Sequence, residues 1–248
     1  MIRVLDRRRF LAAGGAALVV AACGSDGGGE TSSTSVTPPD IAPEDALTAA
    51  DFDRLDTCVL LPESTAGPFP LDEQFDRRDI TEDVPGHPLR LGLRVVDDGC
   101  GPVAGAAVEV WHTDATGDYS AFADGGGGKD DAEGTTFCRG TQTAGDDGIV
   151  EFQSVYPGWY PGRAVHIHVR VRVADEVVFT GQMYFADGYT AGVFAEDPYA
   201  QFGLPNTTNG DDGIAGTPAA DGTLLALASA ETSAGTGTLG LLNLGVRA

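Results

Sequence analysis

The chain has 248 residues, 42% of them apolar, with 35 glycines and a formal net charge of −22. That length and apolar content suit one all-β domain with a buried core. The acidic surface excludes nucleic acid and anionic lipid as general partners and disfavours multiply anionic substrates.

Residues 1–23 read as a targeting segment rather than as fold. MIRVLDRRRF carries a basic start, the next stretch is apolar and short, and small residues precede Cys23. Arg7-Arg8-Arg9-Phe10-Leu11 fits a twin-arginine export signal. Val20-Ala21-Ala22-Cys23 resembles a bacterial lipobox, in which Cys23 would carry lipid as a membrane anchor. Removing residues 1–22 takes away four arginines and one aspartate, which leaves 11 basic and 36 acidic residues and a net charge of −25. Residues 24–45, rich in Gly, Ser, Thr, Pro and acid, read as a flexible linker, and 46–248 as a single domain.

A short helix is expected over 46–55, then an irregular, proline-punctuated segment over 58–70. Alternating apolar residues predict strands over 89–97 and 164–173, and further strands are read over 106–112, 137–143, 148–155 and 177–186. The Leu/Ala/Thr/Gly-rich tail from Gly222 adds a last strand. About seven strands with short turns give a β-sandwich or barrel with at most short helices. Of the four cysteines, Cys58, Cys100 and Cys138 remain for disulfides outside the cytoplasm. The sequence does not choose the pair, although Cys100 and Cys138 flank one strand-rich segment.

The informative stretch is YPGWYPGRAVHIHVRV, residues 156–171. Val165, Ile167, Val169, Val171 and Val173 share one face of a strand. His166, His168, Arg170 and Arg172 share the other, so two imidazoles aim at one point. Tyr160 precedes the strand by a Pro-Gly turn, and Tyr119 follows another strand end in WHTDATGDY. Two phenolates with two neutral imidazoles suit a hard trivalent ion, for which iron(III) is the natural candidate. Arg170 and Arg172 read as surface counterions, Trp111 and Trp159 as packing, His112 as hydrogen-bonded structure, and Asp114 as a residue of the pocket mouth.

GPVAGAAVEVWHTDATGDYSAF, FCRGTQTAGDDGIVEFQSVYPGWYPGRAVHIHVRV and TGQMYF together resemble the intradiol ring-cleavage dioxygenases, most closely their exported single-domain subgroup. The resemblance spans about Cys58 to Ala215. It implies a β-sandwich with long active-site loops, holding one non-haem iron(III) on Tyr119, Tyr160, His166 and His168. Tyr160 and His168 match the axial ligands, and Tyr119 and His166 the equatorial pair. Arg163 matches an arginine that stabilises the electron-rich substrate, and Gln182 a glutamine that bonds to Arg163 or a ligand. The implied reaction uses O2 to open a catecholic ring between its hydroxyls, giving a cis,cis-muconate. The subgroup often has cysteine where this chain has Thr113 and leucine where it has Cys138, which implies a Cys100–Cys138 disulfide. The segment that dimerises catechol dioxygenases is not seen, so oligomeric state is open. The rival readings are a non-catalytic binding module on the same scaffold and a copper or zinc protein using only His166 and His168.

Overall fold

In a computed structural model, residues 45–55, 58–127 and 132–248 are described. The signal, the lipobox and all but the last residue of the linker lie outside these residues. Eight strands run in chain order: β1 Pro88–Val96, β2 Ala107–Trp111, β3 Arg139–Thr143, β4 Ile149–Val155, β5 His166–Val173, β6 Glu176–Tyr184, β7 Ala226–Thr232 and β8 Gly235–Gly245. They form two four-stranded sheets, ordered β4-β1-β8-β7 and β3-β2-β5-β6. All named pairings are antiparallel except that of β1 with β8, which is parallel. The helices are short: α1 Ala49–Phe52, α2 Asp187–Val193 and α3 Pro218–Asp221.

The alternation read from the sequence is what builds the sandwich. Leu89, Leu91, Leu93 and Val95 of β1 join Val108 and Val110 of β2, Val150 and Phe152 of β4 and Ile167, Val169 and Val171 of β5 in one buried cluster. Each such side chain contributes about 1.5–3 kcal/mol by leaving water. The opposite face of the first sheet is covered near β8, where Leu47, Phe52 and Leu55 pack on Leu239 and Leu241. Both faces of β8 are therefore buried.

Two expectations are corrected here. The tail supplies two strands, not one, and β8 lies in the interior of its sheet. The disulfide joins Cys58 to Cys100, with Cα atoms 5.7 Å apart, and Cys138 is a buried free thiol. Cys138 belongs to a small apolar cluster with Ala132, Phe137 and Val155, so it packs as a hydrophobe. Cys58 stands next to the segment where Leu60 bridges Gly245, within reach of the turn that follows β1.

Candidate metal centre on the outer face of the second sheet

With Val108, Val110, Ile167 and Val169 facing inward, their neighbours on β2 and β5 face outward. Register then assembles one cross-strand row. Arg139 of β3 opposes Trp111 of β2, Trp111 opposes His168 of β5, and His168 opposes Gln182 of β6. One step along, His166 opposes Tyr184. The His168 ring stacks on Trp111 at 5.0 Å between centroids and 2° between planes. The outer face is buried at this end because three loops fold over it. They lie over 112–127, 156–165 and 203–217, and the segment around Gly67–Phe69 lies beside them.

The first of these loops is organised by Asp114. Its Oδ1 accepts from the Thr116 amide at 2.8 Å and the Thr116 hydroxyl at 2.6 Å, and its carbonyl accepts from Gly117 and Gly158. Asp114 is thus a buried turn former rather than a residue of the pocket mouth. Gly117 has φ +91°, and a Cβ there would stand 2.2 Å from the Trp159 carbonyl. Only glycine lets the loop carrying Tyr119 lie against the turn carrying Tyr160. Gly67 similarly leaves room for His168, whose Cε1 would be 3.0 Å from an added Cβ.

The four residues expected to share a site are brought together. Tyr119 Oη lies 3.3 Å from His166 Nε2 and 3.0 Å from His168 Nε2. Tyr160 Oη lies 3.3 Å from His166 Nε2, and the two Nε2 atoms are 3.2 Å apart. Tyr119 Oη and the two Nε2 atoms, about 3 Å apart, leave room for a point about 2.0 Å from each, the length of a metal bond to imidazole nitrogen or oxygen, and Tyr160 Oη approaches the same His166 Nε2. The tautomer agrees. His166 Nδ1 donates to the Ala164 carbonyl at 2.7 Å, so Nε2 presents its lone pair to the cluster. His168 Nδ1 is buried without a partner among the described residues. Among those residues no group of three or more His, Cys, Asp or Glu side chains is placed to hold a metal ion. Half of this donor set is phenolic.

Burial sets the charges. It lowers His166 to about 3, helped by the Arg163 charge, and holds His168 well below its usual value, helped by His166. Both imidazoles are neutral and able to ligate. Burial also pushes Tyr119 well above its usual range and raises Tyr160, the latter against the pull of Arg163. Without a cation both phenols keep their protons, and a multivalent cation at the centre reverses that. The residues present fit such an ion.

Arg163 reaches this cluster. Its Nη1 lies 3.4 Å from Tyr160 Oη, its Nη2 donates to Gln182 Oε1, and its Nε donates to Asp212 Oδ2 at 3.0 Å. Gln182 is itself oriented, with Nε2 donating to the Thr65 carbonyl at 3.0 Å and Oε1 accepting from Tyr184 at 2.8 Å. Asp212 also accepts from the amides of Ala164 and Ile214 at 2.8 Å. Burial raises its carboxyl, but those amides and Arg163 outweigh it and leave it below its ordinary value.

Sequence reasoning missed Asp212, 49 residues from Arg163 in a turn of Gly and acid. It also missed Arg139, whose buried side chain donates to Ser120 and Phe69. Burial lowers the Arg139 guanidinium to about 10, opposed by Tyr119, so it is charged at neutral pH. Segment 186–200 packs away from the donor cluster. Its Phe194 contacts Tyr199, and Tyr199 donates to the Tyr156 carbonyl. Arg170 and Arg172 are more than surface counterions. Both donate to buried Glu109, at 3.2 and 2.8 Å, and Arg170 lies over Trp111. Trp111 is packing as expected, and His112 is held by the Thr113 carbonyl at 2.7 Å and Ser154 at 2.8 Å.

The family model described as Dioxygenase matches residues 64–202, more than half of the chain. An intradiol ring-cleavage dioxygenase from Tetranychus urticae superposes with a TM-score of 0.69 at 31% identity, over 77% of this chain and 95% of that one. The dioxygenase domain of a dioxygenase–carbohydrate-binding fusion from Streptomyces sp. SirexAA-E superposes with a TM-score of 0.56 at 26% identity, over 76% and 99%. Chlorocatechol 1,2-dioxygenase of Rhodococcus opacus is 27% identical over 42% of this chain and 45% of its own, so the match spans less than half of that relative. With its two-sheet sandwich, its matched family segment and its nearly full-length structural relatives, the chain belongs to the intradiol ring-cleavage dioxygenases.

Proposed function

We propose that this chain is an iron(III)-dependent intradiol dioxygenase that cleaves a catecholic ring between its two hydroxyls with O2. The observation that carries this reading is the meeting of four donor atoms, with His166 Nε2 lying 3.2–3.3 Å from Tyr119 Oη, Tyr160 Oη and His168 Nε2, and His168 Nε2 lying 3.0 Å from Tyr119 Oη. These four would hold one ferric ion, which when bound activates the chelated catecholate towards oxygen.

The chain's own part is electrostatic and positional. The neutral imidazoles donate nitrogen lone pairs at all pH values above their lowered pKa. The two phenols surrender protons on loading and so match the charge of a hard trivalent ion. Tyr160, half-buried and beside Arg163, is the phenolate placed to take a proton from an arriving catechol hydroxyl at Oη. Arg163 Nη1 faces the same oxygen, so its charge would stabilise the electron-rich ring as negative charge develops. Gln182 and Asp212 keep that guanidinium aimed. Trp111 and Phe69, packed on His168 and Tyr119, keep water from the back of the cluster. The acidic surface favours neutral diphenols over multiply anionic ones. We further propose export by the twin-arginine route and lipid anchoring at Cys23, from the residues of the N-terminal segment.

The test is the visible spectrum of the purified domain before and after anaerobic addition of catechol. A broad tyrosinate-to-iron(III) band that moves to longer wavelength is expected, and Tyr119→Phe or Tyr160→Phe should each alter it. A protein that stays colourless after iron reconstitution would end this reading in favour of a binding module. Variants with unchanged metal content would favour a site built from the histidines alone.

A further inference from the structure

We infer that Arg139 is a positioning residue for Tyr119, its single guanidinium locking the two segments that fix the phenol beside the histidines. The inference rests on the iron-binding reading above. Arg139 is 3% exposed, and no carboxylate of the described residues lies within ion-pair distance of it. The neighbouring Glu109 is engaged by Arg170 and Arg172. Its bonds go instead to neutral oxygens on two different segments. Nε donates to Ser120 Oγ at 2.8 Å and Nη2 to the Ser120 carbonyl at 2.9 Å, next in chain to Tyr119. Nη1 donates to the Phe69 carbonyl at 2.8 Å.

Phe69 in turn stacks on the Tyr119 ring at 4.8 Å between centroids and 28° between planes. Phe122 meets Phe69 at 5.1 Å and lies under the guanidinium at 5.6 Å. Tyr119 is therefore held from its backbone side through Ser120 and from its ring face through Phe69, and both holds end on Arg139. The residue is rooted in the same cross-strand row as His168, so phenol and imidazole are referenced to one rigid sheet. A buried cation with no carboxylate partner among the described residues is costly for folding alone. Its rigid fork, which a lysine point charge lacks, is the feature that can span both segments.

The experiment compares Arg139→Gln and Arg139→Lys with the parent protein. It reads iron release to a chelator and the position of the visible tyrosinate band, below each variant's melting temperature. Both variants are expected to release iron about tenfold faster or more and to shift the band, the size of effect seen when partners of metal ligands are removed. Lysine is not expected to rescue. A lysine variant with the parent's band and release rate overturns the inference, because charge alone would then suffice. Unchanged behaviour of the glutamine variant overturns it as well. If neither variant folds, Ser120→Ala withdraws one acceptor and leaves β3 intact; a shifted band supports the role, and an unshifted one overturns it. A parent protein that binds no iron would remove the iron reading itself. A parent that binds iron while the variants match it would remove only this inference.

Discussion

Acidification of the metal-free protein tests the electrostatics of the site most directly. Burial lowers His112 to about 4 and His166 to about 3, and it holds His168 well below its usual value. The unfolded chain takes up a proton on each imidazole near pH 6.5, and the folded chain does not until the pH is far lower. Between those values the unfolded state binds more protons, so stability falls as pH falls. From pH 7 to pH 5, a histidine that stays neutral in the fold and titrates at 6.5 when unfolded removes about 2 kcal/mol. His112 and His166 together remove about 4 kcal/mol, and His168 acts in the same direction. Total stabilities of about 5–15 kcal/mol make this a large fraction. Urea melts of the iron-free protein at pH 7 and pH 5 would measure it, with His112→Gln expected to reduce the pH dependence by about 2 kcal/mol. A total loss below about 1 kcal/mol would refute the reasoning, because the imidazoles would then have to be protonated or solvated within the fold.

Gly117→Ala should destabilise the protein by about 1–3 kcal/mol and lower its iron content, because a Cβ at φ +91° forces the loops of Tyr119 and Tyr160 apart; iron stoichiometry after a thermal melt reads both. Cys58→Ser should cost about 4 kcal/mol from the entropy of a loop with a 42-residue separation, measured by urea titration, and reduction of the parent should give the same loss. Asp212→Asn should lower kcat for ring cleavage about tenfold by freeing Arg163 while leaving iron affinity unchanged, and steady-state kinetics beside a metal assay would show an unaltered kcat if Asp212 only holds its own turn.

The strands from β1 to β6 were legible because each keeps one face wet or loop-covered and one face in the core. Period two survives most clearly in β1, as in Leu89, Leu91, Leu93 and Val95, and in β5. β8 was harder because GTGTLGLLNLG is buried on both faces and does not alternate. The donor cluster was legible for a related reason, since His166 and His168 sit two apart on one strand face and Tyr160 is one turn away. Asp212 carried no such signal. It acts across 49 residues of chain from a stretch whose acids look like solvated loop. Arg139 was hidden by ordinary strand sequence, where an arginine on the outer face reads as exposed until loops are known to cover it. The disulfide partner went wrong because contact between Cys58 and Cys100 depends on where the irregular 58–70 segment crosses, which no local pattern encodes.

The parallel seam between β1 and β8 has a consequence for how the molecule comes into being. It joins residues near 90 to residues near 240, so the first sheet has no middle until β8 has left the ribosome. Until then β1 offers an open edge and Leu91 and Leu93 have half their neighbours, a state prone to sticking to other chains. Assembly is thus postponed until β8 has been made. A chain cut before Gly235 would keep all four proposed metal ligands and Arg163, yet leave them on a sheet whose partner sheet is unfinished.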